Sequence, residues 1–224
     1  MIKHVGIMGG TFNPIHLGHL IVAQEALAEY GFDRIIFVPN QIPPHRVDKK
    51  DLAGPGDRHM MVSLATASNP HFFASRVEID RNEVSYTLDT LKILEEEHPE
   101  AQFSFITGVD SIMKDHWHGF GELLKLLKHF IAATRPGFDE RLLAERMQHW
   151  SVAGAEKIRI QKIPGVDISS TLIRKRIKEG KPIKYMVTPE VESYIYKNHL
   201  YEYGTAGPTP AFEKKCINRA TPKE

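Results

Sequence analysis

Short apolar runs rich in β-branched residues alternate along the chain with longer segments whose apolar residues follow a helical period. This is the pattern of a parallel sheet covered by helices on both faces. The runs predict strands at His4–Met8, Arg34–Val38, Phe72–Ile79, Phe103–Thr107, Phe130–Thr134 and Lys157–Lys162. Helices fill the gaps. Leu17–Tyr30 ends at Gly31, Asp57 can cap a helix running through Ser68, and Ser85 or Thr87 can start one that reaches Glu97 before Pro99. Ser169 can cap a helix ending at Gly180, and Thr188, with Pro189 at the first helical position, can start another through about Asn198. The expected fold class is α/β, a doubly wound, mostly parallel sheet of about five to six strands with helices on both faces.

Connections in compact domains usually run about 2 to 6 residues, and longer ones tend to carry function or to lack order. Pro39–Gly56 is such a stretch; it follows a strand, so it is expected over the carboxyl edge of the sheet, where open α/β folds bind ligands. Gly204–Glu224 is another, poor in apolar residues and read as a flexible tail. Residues 1–203 then make a single domain whose last part, from residue 169 on, is helical.

Charge and composition narrow the classes of function. With 29 Lys+Arg against 28 Asp+Glu the formal net charge is +1, which removes the electrostatic argument for a dedicated nucleic-acid or membrane-surface binder. Hydrophobic residues at 42% and charged residues at 25% are a mix able to bury a core. The lone cysteine, Cys216, allows no intrachain disulfide and no four-thiolate zinc site, and suits a reducing cytosol. No stretch approaches the roughly 18 to 20 apolar residues of a membrane span. Gly9, Gly10, Asn13 and Pro14 also break the apolar run that a signal peptide needs. A soluble, cytoplasmic protein is expected, with no nucleic-acid or membrane partner; a homo-oligomer is compatible with the sequence.

The chemistry concentrates in Gly9-Gly10-Thr11-Phe12-Asn13-Pro14-Ile15-His16-Leu17-Gly18-His19, between the first strand and the first helix. Two glycines let backbone approach a ligand without a Cβ in the way, and a helix N-terminus offers unpaired N–H groups and a positive dipole end. An anion belongs there. No Gly-Lys-Ser/Thr follows, so this is not a P-loop, and the dinucleotide fingerprint G-x-G-x-x-G is absent. In place of a P-loop lysine stand His16 and His19, three apart and so on one helix face. Such a pair can also be a surface accident, a core feature or half a metal site, although a catalytic zinc site needs a third ligand and none is evident nearby.

The string GGTFNPIHLGH resembles the (T/G)-x-x-H-x-G-H signature of the nucleotidylyltransferases, and Ile168-Ser169-Ser170-Thr171-Leu172-Ile173-Arg174 resembles their ISSTxxR motif. Hydroxyls and N–H groups at a helix start, with an arginine one turn on, form an anion cradle. Further landmarks narrow the resemblance to the bacterial nicotinate-nucleotide adenylyltransferases over nearly all of Met1–Tyr203: Val38-Pro39-Asn40-Gln41-Ile42-Pro43-Pro44-His45, Ser85-Tyr86-Thr87-Leu88-Asp89-Thr90, Gly108-Val109-Asp110, Arg135-Pro136-Gly137 and the closing Asn198-His199-Leu200-Tyr201. That resemblance implies a Rossmann-like fold and transfer of AMP from ATP to nicotinate mononucleotide, giving nicotinate adenine dinucleotide and pyrophosphate. It implies His16, His19 and Arg174 as catalytic residues, and Gly9, Gly10, Thr11, Phe12, Gly108, Asp110, Ser170 and Thr171 as the ATP site. For the nicotinate mononucleotide it implies His45, Arg46, Thr87, Trp117 and Arg135, with Thr87 on the carboxylate and Trp117 stacked on the ring. Mg2+ held mainly through substrate phosphates is implied, with no protein metal ligand named. Two departures stand out: the Asp110 to Trp117 interval is one residue short of the family spacing, and Arg46 stands where lysine is common. The alternatives are another nucleotidylyltransferase of the same signature, such as a phosphopantetheine adenylyltransferase, a nucleotide sensor without turnover, and a histidine-metal hydrolase.

Overall fold

The computed structural model describes residues 2–43, 51–81, 83–113, 117–134, 138–139, 141–142, 145 and 154–202. Within these the chain runs β1 (His4–Gly10), α1 (Leu17–Tyr30), β2 (Arg34–Pro39), α2 (Pro55–Thr66), β3 (Phe72–Ala74), α3 (Thr87–Glu97), β4 (Gln102–Gly108), α4 (Val109–Ile112), α5 (Phe120–Leu126), β5 (His129–Thr134), β6 (Ile158–Lys162), α6 (Ser170–Lys178) and α7 (Pro189–Lys197). The strands form one sheet in the order β3-β2-β1-β4-β5-β6, every pair parallel. Strand order therefore reverses between β1 and β4, and the crevice at their carboxyl ends is where a doubly wound sheet binds its ligand.

The sheet buries both faces. Met8, Phe37 and Ile106 join Ala23 and Ala26 of α1, Met61 and Val62 of α2, Ile173 and Ile177 of α6, and Val191 and Ile195 of α7. Ile7, Phe103, Phe105 and Phe130 pack on the other face against Leu88, Leu91 and Leu94 of α3 and Leu123 of α5. Spacings of three and four put each helix's apolar residues on one stripe, which is why these segments fold as amphipathic helices against the sheet. The termini are also local in origin. Gly31 closes α1 at φ 60°, the Ser169 side chain accepts a bond from Leu172 N–H, and the Thr188 side chain accepts one from Val191 N–H.

Several expected boundaries move. Only Phe72–Ala74 of the Phe72–Ile79 run is strand, because it pairs on one side with Ile35–Phe37; beyond it Asp80 N–H closes a turn on the Arg76 carbonyl, and the two side chains form an ion pair. Lys157 belongs to a 3-10 turn that follows Gly154, so β6 starts at Ile158. α2 starts at Pro55 after Gly54 rather than at an Asp57 cap and stops at Thr66, and Tyr86 precedes the first turn of α3, leaving the Ser85 hydroxyl free for other bonds. β1 runs two residues further than its apolar run, since Gly9 and Gly10 pair with Val38 and Pro39. The expected tail Gly204–Glu224 lies outside the described residues, as does the middle of the Pro39–Gly56 connection.

Candidate active site

A cleft of about 290 Å³ opens at the carboxyl ends of β1 and β4. Gly9, Gly10, His16, Gly18, His19, Gly108 and Asp110 line it; of these His16 and His19 were expected as catalytic and Gly9, Gly10, Gly108 and Asp110 at the ATP site. Apolar groups also line it: Ile106, Ala133, Ile21 and Val22 from the sheet and α1, and Ile163, Pro164, Val166 and Ile168 from the connection between β6 and α6, with hydroxyls from Thr107, Ser111 and Ser169. The lining thus combines polar and apolar groups, as a nucleotide's phosphates and base require.

The two histidines hold each other. Their rings stack at 3.7 Å and 27° between planes, and the His16 backbone N–H donates to His19 Nδ1 at 3.2 Å. An Nδ1 that accepts fixes the neutral tautomer with the proton on Nε2. Burial first, then the neighbouring His16, hold the His19 imidazole well below the usual histidine value. His19 is therefore a neutral hydrogen-bond donor near pH 7. Phe12 meets it edge-on at 5.1 Å and also packs on Phe37, so the Phe12 ring is a buried support and only its backbone is left for a ligand.

Glycines in this loop answer to packing. A Cβ on Gly18 would stand 3.0 Å from His16 Nδ1, one on Gly9 3.1 Å from the Phe105 ring, and one on Gly10 3.2 Å from the Phe12 ring. The expectation that Gly9 and Gly10 clear space for a ligand thus gains a second cause, the aromatic rings beneath them. The second signature binds the loop from α6: the Ser170 hydroxyl donates to the Pro14 carbonyl at 2.8 Å, and Arg174 Nη1 to the Asn13 carbonyl at 2.8 Å, with Nη2 3.5 Å from Thr171 Oγ1. Ser170, Thr171 and Arg174 are thereby brought beside the loop without lining the cleft itself.

Comparison with known proteins shows the family of this fold. Residues 7–176 match the cytidylyltransferase-like family. A probable nicotinate-nucleotide adenylyltransferase of Moorella thermoacetica is 47% identical, covering 88% of this chain and 91% of the relative. One of Desulfitobacterium hafniense is 42% identical over 89% and 96%. The chain belongs to the nicotinate-nucleotide adenylyltransferase family. A solved structure of the Plasmodium falciparum nicotinic acid mononucleotide adenylyltransferase, complexed with NaAD, superposes with a TM-score of 0.71 at 25% identity, covering 89% of this chain and 97% of that one.

The residues expected on the acceptor side of this adenylyltransferase fold are less gathered. Thr87 is the first residue of α3 and lines a small cavity of about 10 Å³ with Glu78, Thr90 and Gly9, so Gly9 is a wall common to this cavity and the main cleft. Trp117 is partly exposed; its Nε1–H donates to the Ser111 carbonyl at 2.9 Å while its ring meets Phe105 and Phe130 edge-on. His45, Arg46 and Arg135 lie outside the described residues. Arg58, which holds the loops at Thr11, Asn40 and Gln41, carries no signature in the sequence, and neither does the Ile163–Val166 part of the lining. Arg58 looks like any polar residue of a capped helix, and the wall has no periodicity to betray it.

Proposed function

We propose that the protein transfers AMP from ATP to nicotinate mononucleotide, releasing pyrophosphate and forming nicotinate adenine dinucleotide, in a cytosolic setting. The observation that carries this reading is the donor His19, neutral and fixed with its proton on Nε2, in a cleft lined by both polar and apolar groups. The relatives supply the acceptor.

The acceptor's phosphate has a second pKa of about 6 and is already a nucleophile near neutral pH, so no general base is needed. Pyrophosphate leaves readily. What remains is to hold the substrates in line and to neutralise charge that builds on the α-phosphate. His16 and His19 donate to the triphosphate, with Thr11, Ser170, Thr171 and Arg174 adjacent and the base against Ile163–Ile168. Asp110, in the first turn of α4 and on the cleft wall, takes the adenosine ribose. Thr87 receives the acceptor's carboxylate at the α3 N-terminus, where the helix dipole favours an anion.

Among the described residues no group of three or more His, Cys, Asp and Glu is arranged to hold a metal ion, and Asp110 is the carboxylate of the cleft wall. Such a donor set fits Mg2+ carried by phosphate oxygens and waters. That ion, when bound, neutralises phosphate charge. No described helix is long and apolar enough to cross a membrane.

Product identification tests the assignment. Purified protein with ATP and nicotinate mononucleotide should yield nicotinate adenine dinucleotide by mass, and nicotinamide mononucleotide should be used less efficiently. Absence of dinucleotide would refute the function; equal use of both mononucleotides would remove the carboxylate from α3.

A further inference from the structure

Arg58 is fully buried on the first turns of α2. Its bonds run to carbonyl and amide oxygens: Nε to the Ala53 carbonyl at 3.0 Å, Nη1 to the Thr11 carbonyl at 2.9 Å and Asn40 Oδ1 at 3.1 Å, and Nη2 to the Gln41 carbonyl at 3.2 Å. Ser85, buried two residues before the start of α3, accepts the Gln41 N–H on its side-chain oxygen at 3.0 Å.

Two buried side chains from different segments therefore converge on one residue. Arg58 holds the carbonyl of Gln41, and Ser85 holds its N–H. The neighbours of Gln41 bridge the two halves of the site. Asn40 N–H donates to the Gly10 carbonyl and its Nδ2 to Thr11 Oγ1 at 3.4 Å, while Ile42 forms a β-bridge with Val84 and accepts Ser85 N–H. Burying a guanidinium costs several kcal/mol unless it is fully bonded, and an apolar residue would pack α2 against the sheet as well.

Resting on the reading above that the acceptor meets the α3 N-terminus, we propose that Arg58 and Ser85 are positioning residues for the transfer. Together they clamp Gln41 from both sides and so hold the phosphate loop and the acceptor end of α3 in register. Arg58 touches the phosphate loop directly through Thr11. Ser85 leads into the acceptor side, two residues before Thr87.

That asymmetry sets the test. Ser85→Ala removes the acceptor of the Gln41 N–H and leaves the Arg58 bonds in place. It should raise the KM for nicotinate mononucleotide about fivefold and leave the KM for ATP within about twofold, the scale of one buried neutral hydrogen bond. Arg58→Lys, whose ammonium cannot span four acceptors in three segments, should raise both KM values. Thr66→Val, which removes bonds to the Val62 and Ser63 carbonyls at the far end of α2, is the control: a lower melting temperature with both KM values unmoved. A wild type that makes dinucleotide while Ser85→Ala keeps its acceptor KM within about twofold would overturn the clamp. A wild type that adenylates a different phosphorylated acceptor would overturn the assigned function instead, and the clamp would then be judged on the KM of that acceptor.

Discussion

Gly18→Ala separates the placement of the His16 ring, proposed above as a donor to the triphosphate, from folding. Gly18 is the second residue of α1, where alanine should favour the helix by up to about 1 kcal/mol. The added Cβ would stand 3.0 Å from Nδ1 and 3.1 Å from Cε1 of His16. Ordinary contacts lie at about 3.5–4.0 Å, so the imidazole must shift by about 0.5 Å. His16 is buried and stacked at 3.7 Å on His19, and the shift disturbs that stack as well. A misplacement of 1 Å can cost about 10²-fold in rate; half of it suggests about tenfold. The assay is pyrophosphate release at saturating acceptor, alongside thermal unfolding. The expected result is a kcat lower by about tenfold, a KM for ATP changed less than about threefold, and a melting temperature unchanged or slightly raised. A kcat within twofold of wild type at the same melting temperature would show that the position of His16 does not govern turnover. A large fall in melting temperature would make Gly18 a packing residue.

His19→Ala should lower kcat by about 10²–10³ with a much smaller rise in the KM for ATP, read by the same assay; near-normal kcat would make the histidines structural. Stability should depend on pH in a direction the buried imidazoles dictate. His4, His19, His59 and His129 are each held below the ordinary histidine value, chiefly by burial. Below about pH 6.5 the unfolded chain then binds more protons than the folded one, and stability present above that pH is lost as pH falls through the folded-state values. Glu78, raised by burial, opposes this only as pH drops toward the carboxylate range. The melting temperature should fall on going from about pH 7.5 to about pH 5.5, and a flat or rising curve would contradict the assignment.

What was legible in the sequence was local. β1, β2, β4 and β5 are apolar runs buried on both faces, and Gly31, Ser169 and Thr188 mark helix ends by their own backbone or side-chain chemistry. His16 and His19 were legible because their signature is contiguous. The misread boundaries were set by distant partners: β3 ends where pairing with β2 ends, and Gly9 and Gly10 are strand because Val38 and Pro39 lie alongside. Arg58, Gln41 and Ser85 come from three separate segments and carry no spacing that links them. Ser170 and Arg174 were expected as site residues, but nothing in the sequence shows that the Pro14 and Asn13 carbonyls accept from them.

Those carbonyl contacts bear on which chemistry the cleft can perform. The oxygens of Thr11, Asn13 and Pro14 are tied to Arg58, Arg174 and Ser170, groups on two different helices. A trans peptide is planar, so fixing the Thr11 and Pro14 carbonyls turns the N–H groups of Phe12 and Ile15 away from those anchors. The loop is held rigid, and two guanidinium charges lie within bonding distance of its backbone, favouring a bound anion. Within the same loop His19 has given its accepting nitrogen to the His16 N–H. What it offers the cleft is a proton on Nε2. A hydrolase must deprotonate water, and this ring is tied up as a donor. An acceptor that arrives already ionised needs only what His19 still has, which favours transfer to a phosphate over attack by water.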